Sequence, residues 1–517
     1  MAAPEFPAAL KDASPAQLIL GTLASLTVLV ALYLWRINTL LSRTPPAALK
    51  LAGPRWTPEL LHETYARLER DPPGLYDAKK LPPRLDRRYV VTGGSGLVGG
   101  YIVLQLLARG TPPSAIRILD IRRTERSDML SPGSPAREVE FVETDITSPV
   151  SVEAAFSRPW AEAVAHLPMT VFHTAAVILA SERSEREYWF PEAVNVRGTR
   201  NLLAAARKHG AGIFSATSSA SISIRPVQPW VAPWAGEPRN FFQLLDLADS
   251  EKPLRHRTGY FANYPASKAV AERMVCDENE DSFRTGSIRP ANGVYGNPTD
   301  NMLGAYFFKD VVETWVPHMV QSFVHGANVA VAHLAQEAVL AKTAPESRRY
   351  AGRPYVVTDP NPPIMNRDMY PAIRTLLPRP WRTMELPPVV PLLMAHGIEL
   401  WSDLPHRFPL LKKLMPPITG EAKHLKPGIF SITTHLVAAD EDTRKPVSEG
   451  GLGYTGVVTT LDGLVYEILE WNREVAAGDA EKKKITYTSS LTLGERLQKT
   501  GLSIVEAVAQ PLSTKTK

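Results

Sequence analysis

Hydrophobic positions fall along this chain in three kinds of run. The first is unbroken: Leu18 to Trp35 is almost wholly apolar, and no charge occurs between Ala13 and Trp35. As a helix rising 1.5 Å per residue, about 18 residues span roughly 27 Å, close to the thickness of a bilayer core. The second kind is short, apolar and rich in β-branched residues: Tyr89–Thr92, Ile116–Asp120, Glu140–Ile146, Thr170–Ala176 and Gly212–Ser219. Each reads as a buried strand. Between and after them come stretches with apolar residues at helical spacing, such as Ile102–Leu107, the segment from Asn195 with Val196, Leu202, Leu203 and Ala206 on one face, and the segment from Gly259 through Val275. Strands alternating with helices predict an α/β fold with a doubly wound parallel sheet. The third kind is apolar but broken by prolines: Leu386–Trp401 and Phe408–Pro417. It is too interrupted to span a bilayer. It reads either as a cover on a substrate domain or as a segment resting on a membrane surface.

The first run predicts one N-terminal transmembrane helix. Tyr33 and Trp35 stand at one end, where aromatic rings favour the interface. Arg36, Arg43, Lys50 and Arg55 follow, whereas Lys11 before the run is offset by Asp12. That bias places the C-terminal bulk in the cytosol. A cleaved signal peptide fits less well, because there is no basic leading segment and the apolar run is long. The expected organisation is an anchor over 1–43, a proline-rich linker with a short helix (Thr57–Glu69) over 44–86, and a dinucleotide-binding domain over 87–300 with an insertion at 222–259. A smaller C-terminal substrate domain over 301–480 and a polar, lysine-rich tail over 481–517 complete it.

Composition narrows the function classes. The 517 residues carry a net charge of +5, with no basic block that would suggest nucleic acid. A single cysteine, Cys276, excludes an intrachain disulfide and argues against a cysteine-built metal site. No metal is expected, and the catalytic part is expected in a reducing compartment.

The chemistry begins at Thr92-Gly-Gly-Ser-Gly-Leu-Val-Gly99, between the first strand and its helix. Gly93, Gly96 and Gly99 permit a tight turn, close approach of backbone to a pyrophosphate, and close packing of helix on strand, with the helix N-terminus facing the phosphates. Asp120 ends the second strand about 20 residues later, where a carboxylate accepts the ribose hydroxyls of NAD and repels a 2′-phosphate. Arg122 and Arg123 are the counter-argument for NADP. His173 reads as a core histidine rather than a catalytic one. Tyr264 and Lys268 lie four apart on one helical face, and a lysine ammonium beside a phenol would lower its pKa. With a serine from the strand end at Ser218-Ser219, this equips a site to move a proton while a hydride leaves a carbinol carbon.

In order and spacing these motifs, together with Asp145-Ile146, Val171–Ala176, Asn195–Thr199, Thr217–Ser221, Tyr264–Lys268, Ile288–Pro290, Gly293–Gly296, Phe323–His333 and Gly352–Asp359, resemble the extended short-chain dehydrogenases. Within them the sequence is similar to the 3β-hydroxysteroid dehydrogenase/isomerase family, a branch that includes decarboxylating sterol-4α-carboxylate 3-dehydrogenases. The resemblance covers roughly residues 86–475. It implies a Rossmann-type fold with NAD in preference to NADP. Tyr264 would be the catalytic acid/base, and Lys268 would hold the nicotinamide ribose and tune Tyr264. Ser219, or Ser218 one residue earlier, would contact the reacting oxygen. Gly93, Gly96 and Gly99 would cradle the pyrophosphate, Asp120 would hold the adenosine ribose, and Asp145 and Ile146 would flank the adenine.

The expected reaction is oxidation of the 3β-hydroxyl of a sterol or triterpenoid, with loss of carbon dioxide if a 4α-carboxylate is present. The enzyme is expected on the endoplasmic reticulum membrane with its site facing the cytosol. A dehydrogenase/isomerase without decarboxylation, a dehydrogenase or epimerase on another substrate, and a membrane-tethered NAD sensor are the alternatives. A homodimer is expected by resemblance alone. The Trp- and Pro-rich insertion, with Trp230, Trp234, Phe241 and Phe242, reads equally as an apolar lid or as a surface insertion with its own small core.

Overall fold

The structure is a computed structural model that describes residues 14–298, 300 and 302–478. The segment before Ser14 and the expected tail over 481–517 lie outside the described residues. Helix α1 (Pro15–Leu41) starts at Ser14, whose hydroxyl accepts the Gln17 N–H while the Gln17 side chain accepts the Ser14 N–H. Its residues are exposed as far as Leu32, whereas Ile37, Leu40 and Leu41 are buried in the body of the protein. Among the described residues it is the one helix long and apolar enough to cross a membrane.

The main elements then follow in order: α2 (Pro58–Arg70), β1 (Arg88–Thr92), α3 (Leu97–Ala108), β2 (Ile116–Asp120), β3 (Glu140–Glu143), α4 (Pro149–Phe156), β4 (Met169–His173), α5 (Gly198–Lys208) and β5 (Ala211–Thr217). Next are β6 (Phe242–Leu245), α6 (Asn263–Asp277), β7 (Arg284–Pro290), β8 (Val320–Gln321), α7 (Gly326–Leu340) and β9 (Pro354–Val357). The last are β10 (Ile364–Met365), α8 (Asn366–Leu376), α9 (Val389–Arg407), β11 (His435–Ala438) and α10 (Thr460–Ala476). The main sheet is parallel throughout, in the order β9-β7-β5-β4-β1-β2-β3. Strand order reverses between β1 and β4, which opens a crevice at the carboxyl ends of these strands. A smaller sheet, β10-β8-β11-β6, stands beside it.

Two segments pack more tightly than the sequence suggests. Residues 44–86 are not a free tether: Leu61 and Leu68, seven apart on one face of α2, are buried with Ile373, Leu464 and Ile468. The insertion at 222–259 supplies β6 to the smaller sheet, where it pairs with β11. Its Phe241 is buried with Ile37 and Leu41 of α1 and Leu392 of α9. The proline-broken apolar stretch is thus α9, one side of which grips the carboxyl end of α1.

The sheet is tied to α7 by a buried ion pair. Arg109 at the end of α3 donates to Glu337 at 2.8 Å and to the Tyr89 hydroxyl at 2.8 Å. The Thr170 hydroxyl donates to the other Glu337 oxygen at 2.9 Å. Glu337 is fully buried, so removing its charge strands a buried guanidinium. Glu337→Ala is expected to destabilise the protein by about 3–5 kcal/mol, seen as a lower thermal midpoint of the detergent-solubilised chain; an unchanged midpoint contradicts this.

Candidate active site

The crevice holds a cavity of about 720 Å³. Gly93 after β1, Asp120 at the end of β2, Thr174 after β4, Ser218 and Ser219 after β5, and Pro290 at the end of β7 all line it. Tyr264 and Lys268 reach it from α6.

One half is shaped for backbone contact with a ligand. Gly93 has φ +71°, and a Cβ there would lie 2.7 Å from the Ala175 amide nitrogen. A Cβ on Gly99 would lie 2.3 Å from the Gly93 carbonyl oxygen, so α3 sits directly on the turn. Gly96 is the N-cap of α3 and lines the cavity, while Gly99 works from behind it. The Asp120 carboxylate accepts the Ser95 amide at 3.1 Å and the Arg122 amide at 3.4 Å, which fixes it at the cavity edge. Burial raises its pKa, and the Arg122 charge opposes the rise. Asp145 accepts the Thr147 amide at 2.8 Å and hydroxyl at 2.7 Å, so its carboxylate shapes the turn. Ile146 beside it packs on Gly198, where any Cβ would collide with it. Both residues line the cavity. The Ser95 and Ser218 hydroxyls are buried there without a hydrogen-bond partner. A glycine cradle at a helix N-terminus, an edge carboxylate and two orphaned hydroxyls fit a dinucleotide.

The reacting groups meet where this half ends. Helix α6 places Tyr264 and Lys268 on one face, and the Ser267 hydroxyl donates back to the Tyr264 carbonyl at 2.7 Å. Lys268 donates to the Thr217 carbonyl oxygen at 2.7 Å, and burial pulls its pKa down to about 8. Burial pushes the Tyr264 phenol up to about 12, while a hydrogen bond with Ser219 pulls the other way. The direction is opposite to that expected from a neighbouring lysine, because burial dominates and the lysine is engaged with the β5 terminus. The Ser219 hydroxyl lies near the phenol but donates to the Ser221 hydroxyl at 2.8 Å, whereas the Ser218 hydroxyl has no partner.

Two supporting residues stood in the quoted motifs without an assigned role. Asn195, within a π-turn that precedes α5, accepts the Val177 amide at 2.9 Å and donates to Ser267 at 2.9 Å, bracing the start of α6. Its place in Asn-Val-Arg-Gly-Thr was the available signal. His333 on α7 bonds Ser215 at 2.7 Å and Thr217 at 2.8 Å, and so holds the carboxyl end of β5. His173 bonds Thr92 at 2.7 Å and Thr199 at 2.9 Å. Burial and the Lys268 charge bring both histidines down to about 3, so they remain neutral. His173 is a core residue, as its sequence context suggested. None of Trp230, Trp234, Phe241 or Phe242 lines the cavity; the insertion is not a lid over it. Among the described residues no cluster of histidine, cysteine and carboxylate side chains is arranged for a metal.

A parallel sheet with this glycine turn and a Ser-Tyr-Lys group at the strand ends defines a dinucleotide-dependent oxidoreductase of the short-chain dehydrogenase type. The sequence profile of the 3-beta hydroxysteroid dehydrogenase/isomerase family matches residues 90–375, more than half of the chain, and the chain belongs to that family. It is an NAD(P)-dependent oxidoreductase acting on CH–OH groups. The 3 beta-hydroxysteroid dehydrogenase/Delta 5-->4-isomerase of Mycobacterium tuberculosis is 29% identical over 365 residues, covering 67% of this chain and 83% of that one. The human 3 beta-hydroxysteroid dehydrogenase type 7 is 28% identical over 371 residues, covering 69% and 89%. The bovine sterol-4-alpha-carboxylate 3-dehydrogenase, decarboxylating, is 27% identical over 268 residues, covering 49% and 63%.

The Ser219 contact lowers the Tyr264 pKa, so losing it raises that pKa further. Alcohol oxidation needs the phenolate and therefore rises with pH towards that pKa. Ser219→Ala is expected to move the rising limb of kcat/KM to higher pH and to cost about 100-fold at neutral pH, with Ser218→Ala leaving the limb in place. A profile shifted by Ser218→Ala alone would transfer the role to Ser218.

Proposed function

We propose that this protein oxidises the 3β-hydroxyl of a sterol or related triterpenoid with NAD. The observation that carries this reading is the division of the cavity at Ser219, Tyr264 and Lys268. On one side lie the glycine turn, Asp120, Asp145 and Ile146; on the other lie Met302, Phe323, Met369, Ile429 and Ile432, apolar side chains suited to a hydrocarbon skeleton, with Asn292, Asp300, Gln321 and Asn366 among them.

Gly93, Gly96 and Gly99 would hold the pyrophosphate, and Asp120 the adenosine ribose. NAD is favoured over NADP by what the two arginines do. Arg122 pairs with Glu125 at 3.6 Å, and the Arg123 guanidinium packs over the Phe141 ring at 4.6 Å. Bound there, a nicotinamide ring supplies the hydride acceptor. Ser219 orients the substrate hydroxyl, and Tyr264 as phenolate takes its proton. The Lys268 ammonium, fixed on the Thr217 carbonyl, would hold the nicotinamide ribose.

A substrate with a 4α-carboxylate would give a β-keto acid, which loses carbon dioxide with no further residue because the new ketone takes up the electrons. A second reading, a neutral 3β-hydroxysteroid, is favoured by the charges of the wall. Among the described lining residues the cations are Lys268 at the reacting centre and Arg122 and Arg126 beside Asp120 and the glycine turn. The membrane reading supports an apolar substrate. Helix α1 runs without a break into the body, with Arg36 bonded to the Ala235 carbonyl at 2.8 Å, which suits an uncleaved anchor. The proposed location is the endoplasmic reticulum membrane, single-pass, with the site cytosolic.

The test is NAD reduction by detergent-solubilised protein, offered a 4α-carboxy-3β-hydroxysterol beside its parent lacking the carboxylate. Tyr264→Phe is expected to lower the rate by about 10²–10⁴-fold. Carbon dioxide release with the acid supports decarboxylation; turnover of the parent alone supports the second reading; silence on both refutes a sterol substrate. Asp120→Ala is expected to raise the KM for NAD and to narrow the preference over NADP, measured in the same assay.

A further inference from the structure

The apolar side of α9 left bare by the body is continuous with the exposed part of α1. Helix α9 leaves the carboxyl end of α1 in the direction of its exposed part: the Val389 amide donates to the Asn38 side chain at 3.2 Å, and His396, seven residues on, accepts the Trp230 indole N–H at 3.0 Å. Trp230 in turn stacks on Tyr33, with ring centres 6.4 Å apart. Progress along α9 is therefore progress towards Leu32 and the exposed apolar part of α1. Its outer face, with Leu393, Met394, Leu400 and Trp401, is exposed. Beyond α9, Phe408, Leu410 and Leu414 are 56%, 90% and 74% exposed, with Lys412 and Lys413 between them. On the other flank of α1, Trp234 is 86% exposed and sits between the two residues whose carbonyls bind Arg36. Exposed leucines interleaved with lysines, with tryptophans at the level of Tyr33 to Arg36, are the side chains that partition into a lipid interface.

The same region touches the cavity. Ile37, Leu41, Leu392 and Ala395 pack in one cluster with Val316 and Ile429, both of which line the cavity. The loop that carries the lining residues Ile178 and Ala180 continues to Arg183 and Arg186. These pair with Glu399 at 2.6 Å and Asp403 at 2.8 Å on α9.

We propose that residues 390–414 lie on the bilayer surface beside the anchor and form the port through which an apolar substrate passes from lipid to the cavity. This rests on reading α1 as membrane-spanning. The bilayer is the occupant because the face is continuous with α1, is apolar at its centre and carries lysines at its rim.

The test uses the full chain with Cys276→Ser, reconstituted into phosphatidylcholine–phosphatidylserine vesicles. An environment-sensitive fluorophore is placed through Leu410→Cys, through Leu26→Cys in the anchor, or through Val150→Cys on α4. Emission shifted to the blue and quenched by doxyl-labelled lipid at positions 410 and 26, with neither effect at 150, supports the port. Lipid contact at 26 with water at 410 overturns the port and leaves the anchor reading standing. Water at both removes the anchor reading and the port with it. A blue shift at 410 without lipid quenching means that a protein covers the face, and overturns the proposal. In turnover, Leu410→Asp with Leu414→Asp is expected to raise the KM for a vesicle-dissolved sterol several-fold at unchanged kcat. The KM for a short, water-soluble 3β-hydroxysteroid should stay as it was; equal loss on both substrates overturns the port.

Discussion

At Gly99 the backbone of α3 comes so close to the β1 turn that a methyl group would lie 2.3 Å from the Gly93 carbonyl oxygen. Much of the site depends on that approach. It seats α3, and α7 packs on α3 at a second close point, where a Cβ on Gly326 would lie 2.8 Å from the Tyr101 ring. Helix α7 carries His333, which holds Ser215 and Thr217 of β5. The Thr217 carbonyl then fixes Lys268 on α6. The glycines of the first turn therefore do two things: they leave the backbone bare at the cavity, and they set the distance on which the Tyr264–Lys268 placement is built.

Desolvation is the main electrostatic fact of this site. Burial pushes Tyr264 up, pulls Lys268 down and keeps His173 and His333 neutral. These shifts share a cause, because the groups sit at the strand ends packed against α6 and α7, where burial disfavours charge. The phenol is left with Ser219 as the partner that favours its charge, which gives that serine more weight than a residue that merely holds a substrate. Beside the cavity the same exclusion of water shapes the contact between α1, the insertion and α9, where Ile37, Phe241 and Leu392 share a cluster with Val316 and Ile429 of the cavity wall.

The parallel sheet was legible in the sequence because its strands are short β-branched runs punctuated by glycines, and β2 falls on Ile116–Asp120 as that pattern predicts. The glycine turn, Asp120 and the Tyr264–Lys268 spacing were legible for the same reason: local geometry dictates them. What was not legible depends on contacts far apart in sequence. Residues 44–86 looked like a tether because proline and charge dominate their composition, yet Leu61 and Leu68 find α8 and α10 some 300 residues and more away. The insertion's tryptophans read equally as a lid or as a surface insertion, and the structure sets Trp230 against Tyr33 and His396. The direction of the Tyr264 shift was missed because spacing reveals which charges are near but not how much water is lost.

In the proposed reaction Tyr264 takes the proton of a sterol hydroxyl while hydride leaves the carbon that bears that hydroxyl. The most direct measurement offers the solubilised enzyme a 3β-hydroxysterol with deuterium on C3 and weighs the reduced cofactor by mass spectrometry. The deuterium is expected to move to the nicotinamide with the wild-type chain, and to do so about 10²–10⁴-fold more slowly with Tyr264→Phe. Reduced cofactor without deuterium, or undiminished transfer by Tyr264→Phe, would contradict that reaction.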